Sequence, residues 1–355
     1  MVTSLDIAMR PIPGYDAAMF SQLRSQDVYA AADRIRDVVR RTALRFSAAL
    51  SEHTGTDVYL KLECEQITGS FKLRGAYNAL ASLEPAARAR GVIAASAGNH
   101  GLGVAYAARA LGIPATIYIP SSAPAVKRDG ITALGATVDA SSPDYDHALA
   151  RALEHARRDG VPFVSPTSDL DVVAGQGTAA LEILEDLPAL RTVIVPVGGA
   201  GLLGGFGMLL RAAAPNVRIV GAQGTRSAAM ARSLEANAVT PVPHELTLAD
   251  GLAGDIDEFA LDIGRHSLDV LAIVTEDEIE SAIAWLYAHE GLVVEGAGAV
   301  GIAALLQKKV YKPAGPVAVV LSGANIDAER HARIVAGAMA QGARLGTSAI
   351  SSSPR

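Results

Sequence analysis

The stretch TVIVPVGGAGLLGG, Thr192 to Gly205, starts as a β-branched run and passes through a glycine cluster into an apolar segment. A short continuous apolar run of this kind reads as a strand buried on both faces, and the glycines mark a strand-to-helix joint. The same rhythm recurs along the chain. VYLKLE, GVIAAS, ATIYIP, FVSP, RIVGAQG and VAVVLSGAN each adjoin an Ala/Leu-rich stretch with 3.6-residue spacing. That alternation predicts an α/β protein with mostly parallel, twisted sheets and helices on both faces; ligands of such folds bind at the strand-to-helix joints. Three joints concentrate Gly, Ser and Asn: SAGNHG at 96–101, GGAGLLGG at 198–205 and SGAN at 322–325. The first 25 residues read as an arm and SAISSSPR as a frayed end, since neither sustains a period.

Composition narrows the function. The 355 residues are 50% hydrophobic and 19% charged, enough for a substantial core. Lys+Arg 31 against Asp+Glu 37 gives a net charge of -6, which leaves no basic excess for nucleic acid and no polybasic tract for a membrane surface. The start of the chain is interrupted by Asp6 and Arg10, unlike a secretory signal, and a cytoplasmic protein is expected. Mean hydropathy is high at +0.26, yet the apolar runs are too short for a membrane span of about 20 residues. Cys64 is the only cysteine, so no disulfide framework or thiolate zinc cluster is expected, and a small buried apolar role is. The eight histidines are scattered without ligand spacing, and no metal is expected.

GAGLLG (Gly199–Gly204) and GAGAVG (Gly296–Gly301) both satisfy GxGxxG, which suggests a dinucleotide site. Such a site also needs a carboxylate at the end of the next strand, and those strands end in Gln223 and Ser322. What remains is that glycine lets backbone N–H groups converge on an anion at a helix N-terminus.

In TGSFKLRGAYNAL, Thr68 to Leu80, Lys72 lies between Phe71 and Leu73 at the start of an apolar helix, with Thr68 or Ser70 as the expected N-cap. The helix dipole disfavours a cation there. A lysine among apolar groups and amide dipoles loses its proton more readily, and a neutral amine attacks carbonyls to form a Schiff base. The alternative is a snorkelling surface lysine. A reactive amine combined with a glycine phosphate cup implies a phosphorylated aldehyde, for which pyridoxal 5'-phosphate is suited.

Together with SAGNHGLGVAYAA, VVAGQGTAALEI, VPVGGAGLLGG, LADGLAG, VEGAGAVGIAAL and LSGANID, this segment resembles, in order, the threonine dehydratase and serine racemase group of pyridoxal phosphate enzymes. The resemblance runs from Gln26 to near residue 340 and lies with the dehydratase branch. It implies the fold type II, tryptophan synthase β-like architecture: a small domain of 91–168 inserted in a large one of 26–90 and 169–345, with 346–355 a tail, and a homodimer or homotetramer.

By the same resemblance, Lys72 matches the Schiff-base lysine and Phe71 the residue packed beside the cofactor. Gly198, Gly199, Ala200, Gly201 and Leu202 match the phosphate cup, and Asn99 the partner of the ring's phenolic oxygen. Ser96, Ala97, Gly98, Asn99 and His100 match the substrate-carboxylate segment; Ser96 and Asn99 are also plausible helix caps. Ser322 matches the partner of the pyridine nitrogen, where a hydroxyl leaves that nitrogen unprotonated and favours elimination. Glu295 matches an acid near the ring, or caps the next helix. The implied reaction is deamination of a β-hydroxy amino acid, L-threonine or L-serine by default, with Lys72 removing the α-proton and a 2-oxo acid and ammonia as products.

Some positions depart from the relatives. Ala97 stands where the racemase branch has a serine acid/base, so racemisation is expected to be poor, and Gln223 and Ala229 replace metal-binding carboxylates. SPTSDLD (Ser165–Asp171) lacks the aromatic-acidic pattern of threonine dehydratases, which leaves phenylserine, a hydroxyaspartate or a hydroxyectoine-derived compound as alternative substrates. Neither a feedback module after LSGANID nor isoleucine inhibition is expected. β-Replacement enzymes and threonine synthases, with SVKDR and SFKDRG, match less well than SFKLR. A nicotinamide oxidoreductase is the alternative from another class.

Overall fold

All five residues of β7, Thr192–Pro196, are buried, as a strand covered on both faces requires. Val193 and Val195 enter one apolar cluster while Ile194 enters the other, the period-two alternation of a strand between two layers. The computed structural model describes residues 4–6, 22, 24–243 and 245–348. Its other strands are β1 (Ser4–Asp6), β2 (Leu44–Phe46), β3 (Val58–Lys61), β4 (Val92–Ala95), β5 (Ala115–Pro120), β6 (Thr137–Ser142), β8 (Arg218–Gly224), β9 (Val270–Val274) and β10 (Val317–Val320).

Seven strands form one sheet in the order β1-β9-β8-β7-β10-β3-β2, and β4-β5-β6 form a second. The five central strands of the large sheet run parallel, while the three-residue β1 and β2 add antiparallel edges. The small sheet is wholly parallel. Strand β7 lies between β8 and β10, where strand order reverses, and the carboxyl ends there open the crevice in which α/β sheets hold ligands.

The run ATIYIP becomes β5 in full, but FVSP does not form a strand. Phe163 makes a single bridge to Ile93, because Pro162 and Pro166 bracket it and cannot donate to a ladder. The polar β6 (TVDASS) and the three-residue edges carry no strong pattern of their own. The final helix, Ala328–Ser348, reaches into the expected tail, whose residues 349–355 lie outside those described. Of the expected arm, Ser4–Asp6 pairs with β9.

The Lys72–Ser82 helix buries Leu73, Ala76, Tyr77 and Leu80 in one cluster with Val92 and Ala94 of the small sheet. It also packs along the Leu170–Asp186 helix so closely that Gly175 stands where a Cβ would meet Gly75 Cα at 2.6 Å. A side chain there would push the lysine-bearing helix away.

Candidate active site

Four chain segments leave their strands towards one place: Ser96–Asn99 after β4, Gly198–Leu202 after β7, Ser322–Asn325 after β10, and the turn that leads from β3 to Lys72. Ser70 forms an isolated bridge with Gly323, and Phe71 N donates to Ser322 O at 3.1 Å, so the lysine segment is laced to the end of β10. The expected N-cap is corrected here. Phe71 is the N-cap and makes no side-chain cap bond, while the hydroxyls of Thr68 and Ser70 are buried without partners. Drawn into pairing with Gly323, Ser70 is not free to fold back on the helix.

Lys72 is the first helical residue, as expected. Its Nζ has one long contact, 3.4 Å to the carbonyl of Pro166, and stands 5.2 Å from the Phe71 ring centroid. Burial drives its pKa down to about 8 from 10.5, partly offset by the charge of Glu295. A substantial neutral fraction near physiological pH is what an amine nucleophile requires.

Pro166 also links Lys72 to the glycine loop. A Cβ on Gly201 would come 2.9 Å from Pro166 O, one on Gly199 2.5 Å from Thr167 Cγ2, and one on Gly198 2.9 Å from Leu252 Cα. The loop is therefore walled on two sides, and side chains are excluded at three of its positions. Ala200 adopts φ 66°, turning the chain into the 13-residue helix Gly201–Ala213. Among the described residues, none of the amides of Gly198 through Leu202 has a backbone acceptor. Unsatisfied donors at a long helix N-terminus form an anion cup.

On the opposite side, Glu295 Oε1 accepts from Asn99 Nδ2 at 2.7 Å and its Oε2 from Asn325 N at 3.1 Å. Burial raises the Glu295 carboxyl to about 7, with Asp250 adding to the rise and the Asn99 and Asn325 bonds opposing it. Glu295 sits at the N-cap of Gly296–Leu306 without a side-chain cap bond, so its oxygens serve the site and not the helix. Likewise the N-cap of Asn99–Leu111 is Gly98 without a side-chain cap, and Ser96 Oγ instead accepts from Gly98 N at 3.2 Å. Ser96, Ala97 and Gly98 are half-buried beside this cluster, and Ser322 is buried.

His100 lies behind the site. Its Nε2 is 2.9 Å from Val164 O and its pKa is driven down to about 3, by burial first and then by Lys72. The ring is therefore neutral and donates from Nε2, which leaves Nδ1 as a buried acceptor without a partner. Thr167, in the atypical segment SPTSDLD, lies against the glycine loop, while two neighbours carry no role assigned from the sequence: Asp250 beside Glu295, and Asn325. Both lie in quoted segments, Asp250 in LADGLAG and Asn325 in the polar joint SGAN. Cys64 is buried, with its thiol pushed up to about 12 by desolvation and neighbouring carboxylates. Among the described residues no group of three or more His, Cys, Asp or Glu side chains is placed to hold a metal ion, and no helix is long and apolar enough to cross a membrane.

The parallel sheets, the buried amine and the glycine cup define an α/β enzyme whose crevice is built for a phosphorylated carbonyl compound. The sequence profile of the pyridoxal-phosphate dependent enzymes matches residues 35–323, and the chain belongs to that family. It is 44% identical over 314 residues to an L-threonine ammonia-lyase of Thermotoga maritima, covering 87% of this chain and 77% of that protein. The processed form of threonine deaminase isoform 2 from Solanum lycopersicum superposes with a TM-score of 0.85 at 33% identity, over 95% of this chain and 93% of the other. Maize serine racemase superposes with a TM-score of 0.84 at 29% identity, over 90% and 98%. The fold is thus the two-domain, tryptophan synthase β-like type, and the cofactor is pyridoxal 5'-phosphate. The residues fit that cofactor: Lys72 for its aldehyde, and the free amides of Gly198–Leu202 for its phosphate.

Proposed function

We propose that this protein is an ammonia-lyase acting on a β-hydroxy amino acid, L-threonine or L-serine: water is eliminated across Cα–Cβ, and the released enamine takes up water again and loses ammonia to give a 2-oxo acid. The observation that carries the reading is the buried, weakly partnered Lys72 amine beside a glycine cup of unsatisfied amides. The threonine ammonia-lyase and threonine deaminase among its relatives support the same substrate class.

The cofactor, when bound, supplies an aldehyde for the amine and a conjugated ring that stabilises charge at the substrate Cα. Lys72 Nζ takes the α-proton, since a depressed pKa leaves it able to accept a proton near neutral pH. Gly198, Gly199, Ala200, Gly201 and Leu202 would hold the phosphate through backbone N–H groups, and Phe71, whose ring lies beside Lys72 Nζ, would pack beside the cofactor ring. Asn99, held by Glu295, would donate to the ring oxygen, and Ser322 would meet the ring nitrogen. The Ser96–His100 segment takes the substrate carboxylate with the amides of its turn; His100 supports it from behind through Val164. Residues 91–168 form the small domain and 26–90 with 169–345 the large one, in a cytoplasmic homodimer or homotetramer that needs no divalent metal.

Release of 2-oxo acid from a panel of β-hydroxy amino acids, followed with wild type and Lys72→Ala, tests the proposal. Threonine or serine should be the best substrate, with Lys72→Ala inactive. Elimination retained by that variant, or activity confined to phenylserine or a hydroxyaspartate, would contradict it.

A further inference from the structure

Asn325 is the residue through which the orientation of Asn99 is set. Its Nδ2 donates to Thr68 O at 2.9 Å and to Asn99 Oδ1 at 2.6 Å. A backbone carbonyl only accepts, so the Asn325 amide is forced to place nitrogen, not oxygen, at this junction. Asn99 must then answer with oxygen, and its nitrogen falls to Glu295 Oε1 at 2.7 Å. The polarity of one peptide carbonyl next to the lysine segment is thereby passed through two amides to a third element of the chain.

One Asn99 N–H is left without an acceptor among the described residues. The space around it is kept clear by glycine. A Cβ at position 323 would come within 3.2 Å of Asn99 Nδ2 and 2.5 Å of Glu295 Oε1. Gly69, at φ 73°, is held equally close to Asn325, where a Cβ would meet Oδ1.

We infer that Asn325 is a positioning residue: it fixes the Asn99 amide so that its remaining N–H is available to the anionic ring oxygen of the cofactor. This rests on the assignment of Asn99 to that oxygen in the proposed function. Without Asn325 the Asn99 amide can turn over and offer its own oxygen, which would repel that anion. Asn325 lies at the surface, so its truncation spares the core.

The test is a pH titration of the visible absorbance of the bound cofactor in wild type, Asn325→Ala, Asn325→Ser, Asn99→Ala and the Asn99→Ala/Asn325→Ala pair. Borohydride labelling of Lys72 should be equal in wild type and both Asn325 variants. The titration midpoint of Asn325→Ala should move by about one pH unit, the scale of one lost hydrogen bond to a charged group. Asn325→Ser should move the same way, and the double variant no further than Asn99→Ala alone. Midpoints equal to wild type, shifts that add in the double variant, or unfolding of both Asn325 variants would overturn the inference. A wild type without a visible band or a labelled Lys72 would instead overturn the proposed function.

Discussion

Arg74, two residues beyond Lys72, and Glu63 are joined by two parallel hydrogen bonds of 2.8 Å, both side chains wholly buried. Arg74 also pairs with Glu182 at 2.7 Å, and Lys61 with the same carboxylate, so two cations and two anions close a neutral group behind the site. Four charges brought out of water are tolerated only as a complete set.

Removing one member should therefore be severe. Glu63→Ala is expected to cost about 3–5 kcal/mol in urea denaturation, since Arg74 would keep a buried charge with half its partners. Burial pushes the Glu63 carboxyl up, but the Arg74 charge and hydrogen bonds more than offset this and hold it below the ordinary range. The stability it contributes is present above its unfolded pKa and lost as pH falls through its folded one. Wild type should thus weaken on acidification more steeply than Glu63→Gln; equal slopes would deny the pairing.

Lys72 has the opposite effect on stability. Its folded pKa lies near 8 and its ordinary value at 10.5, so between the two the unfolded chain binds more protons and stability rises with pH. Below that window the buried amine costs about 3 kcal/mol. The cofactor-free Lys72→Met variant should accordingly resist urea better than cofactor-free wild type at pH 7, and the gain should fade towards pH 10.5. A variant less stable at both pH values would show that the amine is well solvated.

Ala200, at φ 66°, carries a side chain in a region that favours glycine. Ala200→Gly should stabilise the cofactor-free protein by about 0.5–1 kcal/mol, less the entropy glycine adds to the unfolded chain. Thermal denaturation measures it. A clear loss of stability would mean that the buried methyl group outweighs the strain.

Ala97 has no proton to give. L-serine should yield pyruvate with D-serine formed at least about 100-fold more slowly, the scale of a missing general acid/base. Chiral chromatography of the reaction decides, and comparable rates of the two products would refute it.

The amino-acid sequence by itself determined the alternation of strands and helices, the full extent of β5, the glycine turn after β7 and the place of Lys72 in the first turn of its helix. These depend on neighbours a few residues away, and side-chain period and glycine geometry act at that range. The tertiary structure alone decided the rest. FVSP gave up its strand to flanking prolines, and Ser70 gave up a helix cap to pair with Gly323. Arg74 met Glu182, and Asn99 met both Glu295 and Asn325, across more than 100 residues of chain. A buried charge or amide takes its role from whichever partner satisfies it, and that partner is known only once distant segments are packed together.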